Sequence, residues 1–278
     1  MDLNTITSYR PARQRGDLRL APGERVMGGG TWLFSEPQLD ITGLVDLTTM
    51  GWPALEYPEA GGLRIAATCT IAQLAQLPPR DGWMAQPIFY QCASALLASP
   101  KIWNVATVGG NVCRSFAAAG MVSLCVALDG VAVVWSADGT QFQLPVSELI
   151  TGNGSNRLRP GDVLRALDIP EHALRARAGY RKIALAELGR SGAVLTGRVD
   201  PATGGDDARG AVFTITAATL RPTVLRYPTL PSAEQLRSDV DAAGGYYSDP
   251  LGSADWRRQV SGVLLEEIRT ELSRPART

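Results

Sequence analysis

The chain is poor in the residues from which most catalytic centres are built. It has one His, His172, and four Cys in 278 residues. A single imidazole cannot supply the paired His ligands of His-rich metal centres. It would also leave a Ser-His-Asp triad resting on one residue just after the turn-like Ile169-Pro170. His172 is therefore expected to be exposed and without chemistry. Cys69, Cys92, Cys113 and Cys125 are dispersed and form no C-x-x-C pair, which excludes a zinc ribbon and a self-contained iron-sulfur site. Reduced, mostly buried thiols are expected.

A surplus of either charge is also missing, with 27 basic against 27 acidic residues. Affinity for a phosphate backbone rests on surplus Lys and Arg, so no nucleic-acid partner is expected. The most apolar stretch, residues 117–134, is interrupted by Ser123, Asp129 and two Gly. A bilayer span needs about 20 nearly uninterrupted apolar residues, so no membrane span is read. The opening MDLNTITSYRPA holds Asp2 and lacks an apolar run of leader length, which points to the cytoplasm.

What the chain does hold is 45% apolar residues, 29 Gly and 18 Pro, the make-up of a globular protein of one to three domains with many tight turns. Short strands are expected over residues 3–9, 25–27, 44–47 and 63–67, bounded by Gly and Pro. Thr70-Ile71-Ala72-Gln73 has the form of a capping box and should open a short helix ending near Pro78. A second helix is read over 87–98, with Pro87 in its first turn and Ile88, Cys92, Ala95 and Leu96 on one face. A loop is read over 99–111 and an apolar helix over 121–128, closed by Asp129-Gly130. VAVVWS and QFQLP then alternate around Ala137-Asp138-Gly139-Thr140 as a β-hairpin does, and a loop over 153–162 leads into a strand over 163–169. From about residue 171 the pattern changes to strands near 180–186, 193–199 and 211–221, an antiparallel meander with DPATGGDDARG as the turn between the last two. A final helix carries Trp256, Val260, Val263, Leu264, Ile268 and Leu272 at helical spacing. No internal repeat is evident.

Two segments stand out chemically: MGGGTWL, from Met27, and ATVGGN, from Ala106. Without Cβ atoms, consecutive Gly residues let successive N–H groups turn toward one anion, and a neighbouring Thr hydroxyl adds a donor. Neither segment matches the dinucleotide-fold or P-loop fingerprints. Taken alone, each is either a tight turn or a phosphate cradle.

The wider string ASPKIWNVATVGGNVC resembles a signature of the FAD-binding medium subunit of molybdenum hydroxylases, the xanthine dehydrogenase and carbon monoxide dehydrogenase group. In that family the string is preceded by an A-G-G-T-D-L loop, and GGGTWL stands at a similar distance upstream here. RIAATCTIAQL, LPVSELITGNGSNRLRPGDVLRALDIP and DPLGSADWRRQV resemble further family segments in the same order, so the resemblance covers nearly the whole chain. It implies an α+β fold: a two-part FAD-binding domain of the PCMH type over 1–170, with subdomains of about 1–55 and 56–170. A smaller C-terminal α/β domain follows over 171–278, with a three-stranded antiparallel sheet and helices.

Carried over residue by residue, the resemblance places Gly28, Gly29, Gly30, Thr31 and Leu33 at the pyrophosphate and adjoining ribityl, with Arg25 and Met27 toward the adenine end. Thr107, Gly110 and Asn111 form the second clamp, flanked by Ala106. Leu97, Ala98 and Ile102 line the nucleotide pocket, Leu158 lies on the isoalloxazine, and Lys182 stands near the flavin. Three departures stand against these matches. Trp32 replaces a residue that is commonly polar, Gly120 takes the position of an Asp that contacts the ribityl or ring region, and Ala117 and Ser123 replace two Pro. No catalytic or metal-ligating residue is implied.

The function implied is a non-covalent FAD carrier in a heteromeric enzyme, beside a large molybdenum-cofactor subunit and a small subunit with 2Fe-2S clusters. Electrons would pass from those clusters through FAD to an external acceptor. The alternatives are a flavin-free structural or assembly subunit of the same complex, and a stand-alone flavin oxidoreductase.

Overall fold

Residues 3–187, 189–201 and 210–274 are described by the computed structural model. The first layer is a parallel three-stranded sheet, β1 (Ser8–Pro11), β2 (Glu24–Met27) and β3 (Gly43–Asp46), in the order β1-β3-β2. The central β3 is buried along its length, as a strand flanked on both edges must be. At the C-terminal end of β2 the chain enters the first glycine segment.

Next come β4 (Leu55–Glu56), β5 (Leu63–Ala66) and the short helix α1 (Ile71–Ala75). Both capping-box bonds form there, Gln73 N–H to Thr70 Oγ1 at 3.2 Å and Thr70 N–H to Gln73 Oε1 at 2.9 Å. Helix α2 (Pro87–Ser94) ends a turn earlier than its apolar pattern suggests. The stretch read as a loop over 99–111 holds two helices, α3 (Pro100–Trp103) and the first part of α4 (Val108–Arg114). Thr107 caps α4 by accepting from the Gly110 N–H at 3.0 Å, and burial of Val108 and Val112 holds the helix despite its two glycines. Helix α5 (Gly120–Ala127) precedes the expected hairpin β6 (Val131–Trp135) and β7 (Gln141–Pro145). Short pieces α6 (Val146–Leu149), β8 (Ile150–Gly152) and β9 (Ser155–Asn156) lead into β10 (Val163–Ile169). β10 is the middle strand of an antiparallel sheet ordered β4-β5-β10-β6-β7.

After α7 (Glu171–Arg175) the chain forms an antiparallel meander of β11 (Arg177–Ile183), β12 (Ala193–Val199), β13 (Ala211–Thr216) and β14 (Thr223–Tyr227). The sheet therefore has four strands where three are expected. The run read as one strand over 211–221 stops at Ala217, whose φ of 61° is left-handed, and resumes as β14 beyond Pro222. The turn read between the last two expected strands falls on residues 202–209, outside the described residues. Helices α8 (Ala233–Ala242) and α9 (Ala254–Ser273) cover one face. Close approach of α9 needs Gly197 and Gly179, where a Cβ would lie 2.6 and 2.8 Å from Ile268 Cγ2.

All eight residues of α5 are buried, because it is covered on one side by the first core and on the other by β12 and β13. Polar pins hold the second contact: the Ser123 and Thr216 hydroxyls lie 2.7 Å apart, and Ala217 N–H donates to the Ala117 carbonyl at 2.8 Å. At the C-terminal end of α5 the enclosed Arg198 donates to the Ala127 carbonyl at 2.6 Å, to Asp200 at 2.7 Å, and to Asp129. Asp129 also accepts from Arg226 at 2.6 Å and lies 3.5 Å from His172 Nε2. His172 is exposed as expected, but its ring edge belongs to this cluster.

The cysteines are free; Cys69, Cys92 and Cys125 are buried and Cys113 half-buried. Burial pushes Cys69, Cys113 and Cys125 up to about 12 and raises Cys92 as well. Among the described residues no helix is long and apolar enough to cross a membrane, and no group of three or more His, Cys, Asp or Glu could hold a metal ion.

Burial alone would raise the Asp129 pKa, but hydrogen bonds from His172 and Arg226 and the charges of Arg198 and Arg226 outweigh it and hold the carboxyl well below its ordinary value. Its contribution to stability is therefore complete above the unfolded value of 3.8 and is lost as the pH falls below it. Asp129→Ala, which leaves the enclosed Arg198 with Asp200 as its remaining carboxylate partner, should cost about 1.5–3 kcal/mol in urea unfolding at neutral pH. Arg226→Ala, which removes a half-exposed partner, should cost about 1 kcal/mol or less. The gap between the two variants should begin to narrow as the pH falls below about 4, where Asp129 of the unfolded chain takes up a proton while the folded carboxylate keeps its charge.

Candidate functional site

The two glycine segments meet, and the contact explains the first of them. A Cβ on Gly29 would lie 1.7 Å from the Val105 carbonyl oxygen, and one on Gly28 would lie 2.7 Å from Thr107 Oγ1. Gly30, at φ 69°, turns the chain into a single helical turn closed by Phe34 N–H to the Gly30 carbonyl at 3.0 Å. Further along, the Trp32 ring packs edge-on against Phe116 with centroids 5.0 Å apart, and the Arg114 guanidinium lies 4.1 Å from both ring centroids. The first glycine loop thus runs beside α4, from its N-cap at Thr107 to its last turn at Arg114.

Hydrogen bonding divides the two loops. In the second, the N–H groups of Val108, Gly109, Gly110 and Asn111 are taken by Cys69 O, Ala67 O, Thr107 Oγ1 and Thr107 O. Asn111 Oδ1 accepts from Met121 N–H at 2.9 Å, which caps the first turn of α5. The second loop therefore has few backbone donors to spare, and keeps the Thr107 hydroxyl proton and the Asn111 side-chain amide. In the first, no described residue accepts from the N–H groups of Gly29, Gly30, Thr31, Trp32 or Leu33. Five consecutive amides without an acceptor among the described residues are the type of donor that binds phosphate oxygens.

Beside this contact is a cavity of about 400 Å³, bounded by Gly29, Val105 and Thr107 and extending to Thr48, Trp52, Thr68, Thr70, Gln73 and Asn104. Its size is at the small end of the ~300–1,000 Å³ typical of small-molecule sites, and its walls offer hydroxyls and amides with no carboxylate. The open groove of about 980 Å³ between α8 and α9 is larger, but there Arg181 pairs with Glu267 and Glu271. No open donor row faces it.

The other sequence-derived residues lie around these loops at varying distance. Arg25 is exposed on β2, and Met27 is half-buried with Sδ 3.3 Å from the Cβ position of Gly30. Ala106 is held by its N–H to the Ile102 carbonyl at 2.7 Å. Leu97, Ile102 and Val105 are exposed apolar side chains near the loop contact in sequence, and Ala98 is half-buried. Leu158 is half-buried in a segment tied to the end of α4 by Asn156, whose amide donates to Cys113 O at 2.8 Å and Ser115 Oγ at 2.9 Å. Lys182 is half-buried on β11, and no hydrogen bond or ion pair joins its side chain to either loop or to any other described residue. Gly120 is buried, with its Cβ position 2.2 Å from the Cys92 carbonyl, so this backbone leaves no room for a side chain there.

Arg114, Phe116, Thr48, Trp52, Thr68 and Asn104 escaped the sequence reading. The missed signal is periodicity: Thr107, Gly110, Asn111 and Arg114 are three or four residues apart and share one face of α4 once that segment is known to be helical.

A family model described as the FAD binding domain in molybdopterin dehydrogenase matches residues 12–172. The chain is similar to the putative xanthine dehydrogenase FAD-binding subunit XdhB of Escherichia coli (strain K12), at 29% identity over 173 residues, 57% of this chain and 56% of that one. It is also similar to the 6-hydroxypseudooxynicotine dehydrogenase complex subunit alpha of Paenarthrobacter nicotinovorans, at 29% identity over 79 residues, 28% of this chain and 26% of that one. The chain spans about half the length or less of these curated relatives. Among solved structures, quinoline 2-oxidoreductase from Pseudomonas putida 86 superposes with a TM-score of 0.79 over 98% of each chain at 18% identity. Carbon monoxide dehydrogenase from Oligotropha carboxidovorans does so with 0.79 over 97% of this chain and 99% of that one at 19% identity. These two likenesses establish the fold.

Gly29 and Gly110 should respond differently to a methyl group. Gly29→Ala must push the Val105 carbonyl away and should cost about 1–3 kcal/mol of stability. At Gly110 the Cβ meets only Thr107 Oγ1 at 2.9 Å, and a gain of about 0.5–1 kcal/mol in helix propensity offsets that crowding. Thermal unfolding of the two variants should show a lowered midpoint for Gly29→Ala and one close to wild type for Gly110→Ala.

Proposed function

The chain belongs to the family of FAD binding domains in molybdopterin dehydrogenases, and on that premise we propose that it is the FAD-carrying electron-transfer subunit of a heteromeric molybdenum hydroxylase. One observation carries the proposal. The five N–H groups from Gly29 to Leu33 have no acceptor among the described residues, and their loop packs against α4 at Thr107 and Arg114, with no carboxylate hydrogen-bonded to any of them. Such a donor-only surface suits a pyrophosphate.

In this reading Gly28 and Gly29 bring the loops together, and Gly30 and Thr31 present amides to the phosphates. Thr107 donates its hydroxyl proton and Asn111 its free amide, while Gly110 keeps the helix face clear of a side chain. Leu97, Ala98, Ile102 and Ala106 form an apolar flank for the nucleotide, with Arg25 and Met27 at its adenine end and Leu33 beside the ribityl. Leu158 and Lys182 would approach the flavin ring. Bound FAD supplies the conversion between one-electron and two-electron transfer, and the protein supplies position and electrostatics. The buried cysteines leave no spare cluster ligands in this chain. The proposed partners are accordingly a large molybdenum-cofactor subunit and a small 2Fe-2S subunit that delivers electrons, with an external acceptor removing them. The reduced thiols favour the cytoplasm. Residues 1–170 would form the FAD-binding domain and 171–278 the C-terminal domain, a division supported by the separate core between α8, α9 and the meander.

One observation favours a second reading, a flavin-free structural or assembly subunit. Gly120 cannot carry the family's Asp on this backbone, and Trp32 offers no acid either.

Purification of the native complex with cofactor and metal analysis separates the readings. We expect about one FAD per chain, released to the supernatant by acid precipitation. The isolated chain should turn over no hydroxylase substrate, and its flavin should bleach in stopped flow once both partners and substrate are added. Absence of flavin from the native complex would select the assembly role. Turnover by the chain alone would select a stand-alone flavoenzyme, and colour retained in the pellet would show a covalent link.

A further inference from the structure

The donor stripe on α4 continues beyond the residues named so far. Thr107, Gly110 and Asn111 are followed on the same helix face by Arg114, about 10 Å along the axis from the N-cap at 1.5 Å per residue. The first glycine loop follows the same path, since Gly28 faces Thr107 and Trp32 faces Arg114. Both walls of this groove therefore end at the Arg114 guanidinium.

No described residue accepts a hydrogen bond from the Arg114 side chain, and its Nε is buried without a partner. An unmatched buried donor is costly, and a guanidinium carries five N–H groups. The nearest carboxylate influence is that of Glu36, which pairs with it in no ion pair, and burial lowers the Arg114 pKa. Its planar surface is taken up by Trp32 and Phe116, each at 4.1 Å, so hydrogen bonding is left to the N–H edges. The two positions where the family resemblance leads one to expect polar or acidic residues hold Trp32 and Gly120, so no internal carboxylate captures the charge.

We propose that Arg114 is the cationic partner of the dinucleotide's pyrophosphate, completing the donor stripe that Thr107 and Asn111 begin across Gly110; this rests on the FAD reading above. The pyrophosphate is chosen over the flavin ring for two reasons. Its charge is permanent, whereas a charge on the ring depends on the redox state. The amides that share the groove with Arg114 are the phosphate-type donor row of the first loop. Trp32 then has a function of its own: as a stacking surface it holds the guanidinium at the groove's end.

The test uses the native complex stripped of flavin and compares wild type, R114K and R114M for FAD affinity at low and high salt, with thermal melts as the folding control. Met keeps an apolar stem between the two rings and removes the charge. We expect R114M to weaken FAD binding roughly ten- to a hundredfold and to flatten its salt dependence, with R114K intermediate and the flavin midpoint potential unchanged in both. FAD binding by R114M equal to wild type would overturn the proposal and reduce Arg114 to packing. Weakened binding together with a shifted potential would also overturn it, by placing the charge at the ring. If stripped wild-type complex binds no FAD at all, the functional reading itself falls, and the proposal with it.

Discussion

A helix with no polar face dictates the arrangement. Helix α5 is apolar all round and buried at every residue, so it needs cover on both sides. The first core provides one side and the meander of β11 to β14 the other, which puts the C-terminal sheet against the glycine-loop layer. Its ends are then finished by distant residues. Asn111 caps the first turn from α4, and Arg198 caps the Ala127 carbonyl from β12 while meeting Asp129. The ionic cluster at Asp129 thus does two things with one charge set: it satisfies the helix terminus and joins the two cores.

Asn111 is thereby a joint as well as a proposed donor. Its oxygen is committed to α5, so anything that moves α5 moves the helix face carrying Thr107, Gly110 and Arg114. The glycines on either side of the groove solve opposite problems. Gly29 makes room for the protein's own Val105 carbonyl, whereas Gly110 faces only Thr107 Oγ1 and otherwise open space. Identical residue types in similar motifs therefore hold the site together in one case and keep it clear in the other.

Much of the fold was legible wherever local chemistry decides it. The capping box at Thr70, the hairpin of β6 and β7 and the amphipathic α9 follow from spacing alone. Legibility failed where tertiary contacts overrule propensity. Gly109 and Gly110 argue against a helix, at about 1 kcal/mol each, yet burial of Val108 and Val112 and the Thr107 cap make one. The fourth strand was lost because Ala217 takes a left-handed conformation that only its contacts sustain, among them Ala117 O, Arg257 and Tyr247. Helix α8 buries only Leu236 and Val240, too little apolar signal to register. For the site, the loops were legible through resemblance, while the meeting of Gly29 with Val105 and of Trp32 with Arg114 requires coordinates.

The cysteines have a further consequence. Burial that pushes Cys69, Cys113 and Cys125 up to about 12 leaves them as thiols at neutral pH. Peroxide and disulfides react with thiolate rather than thiol. Here the cysteine sulfurs are kept in the form that such oxidants leave alone, so oxidation should fall on exposed Met84 before it reaches the core.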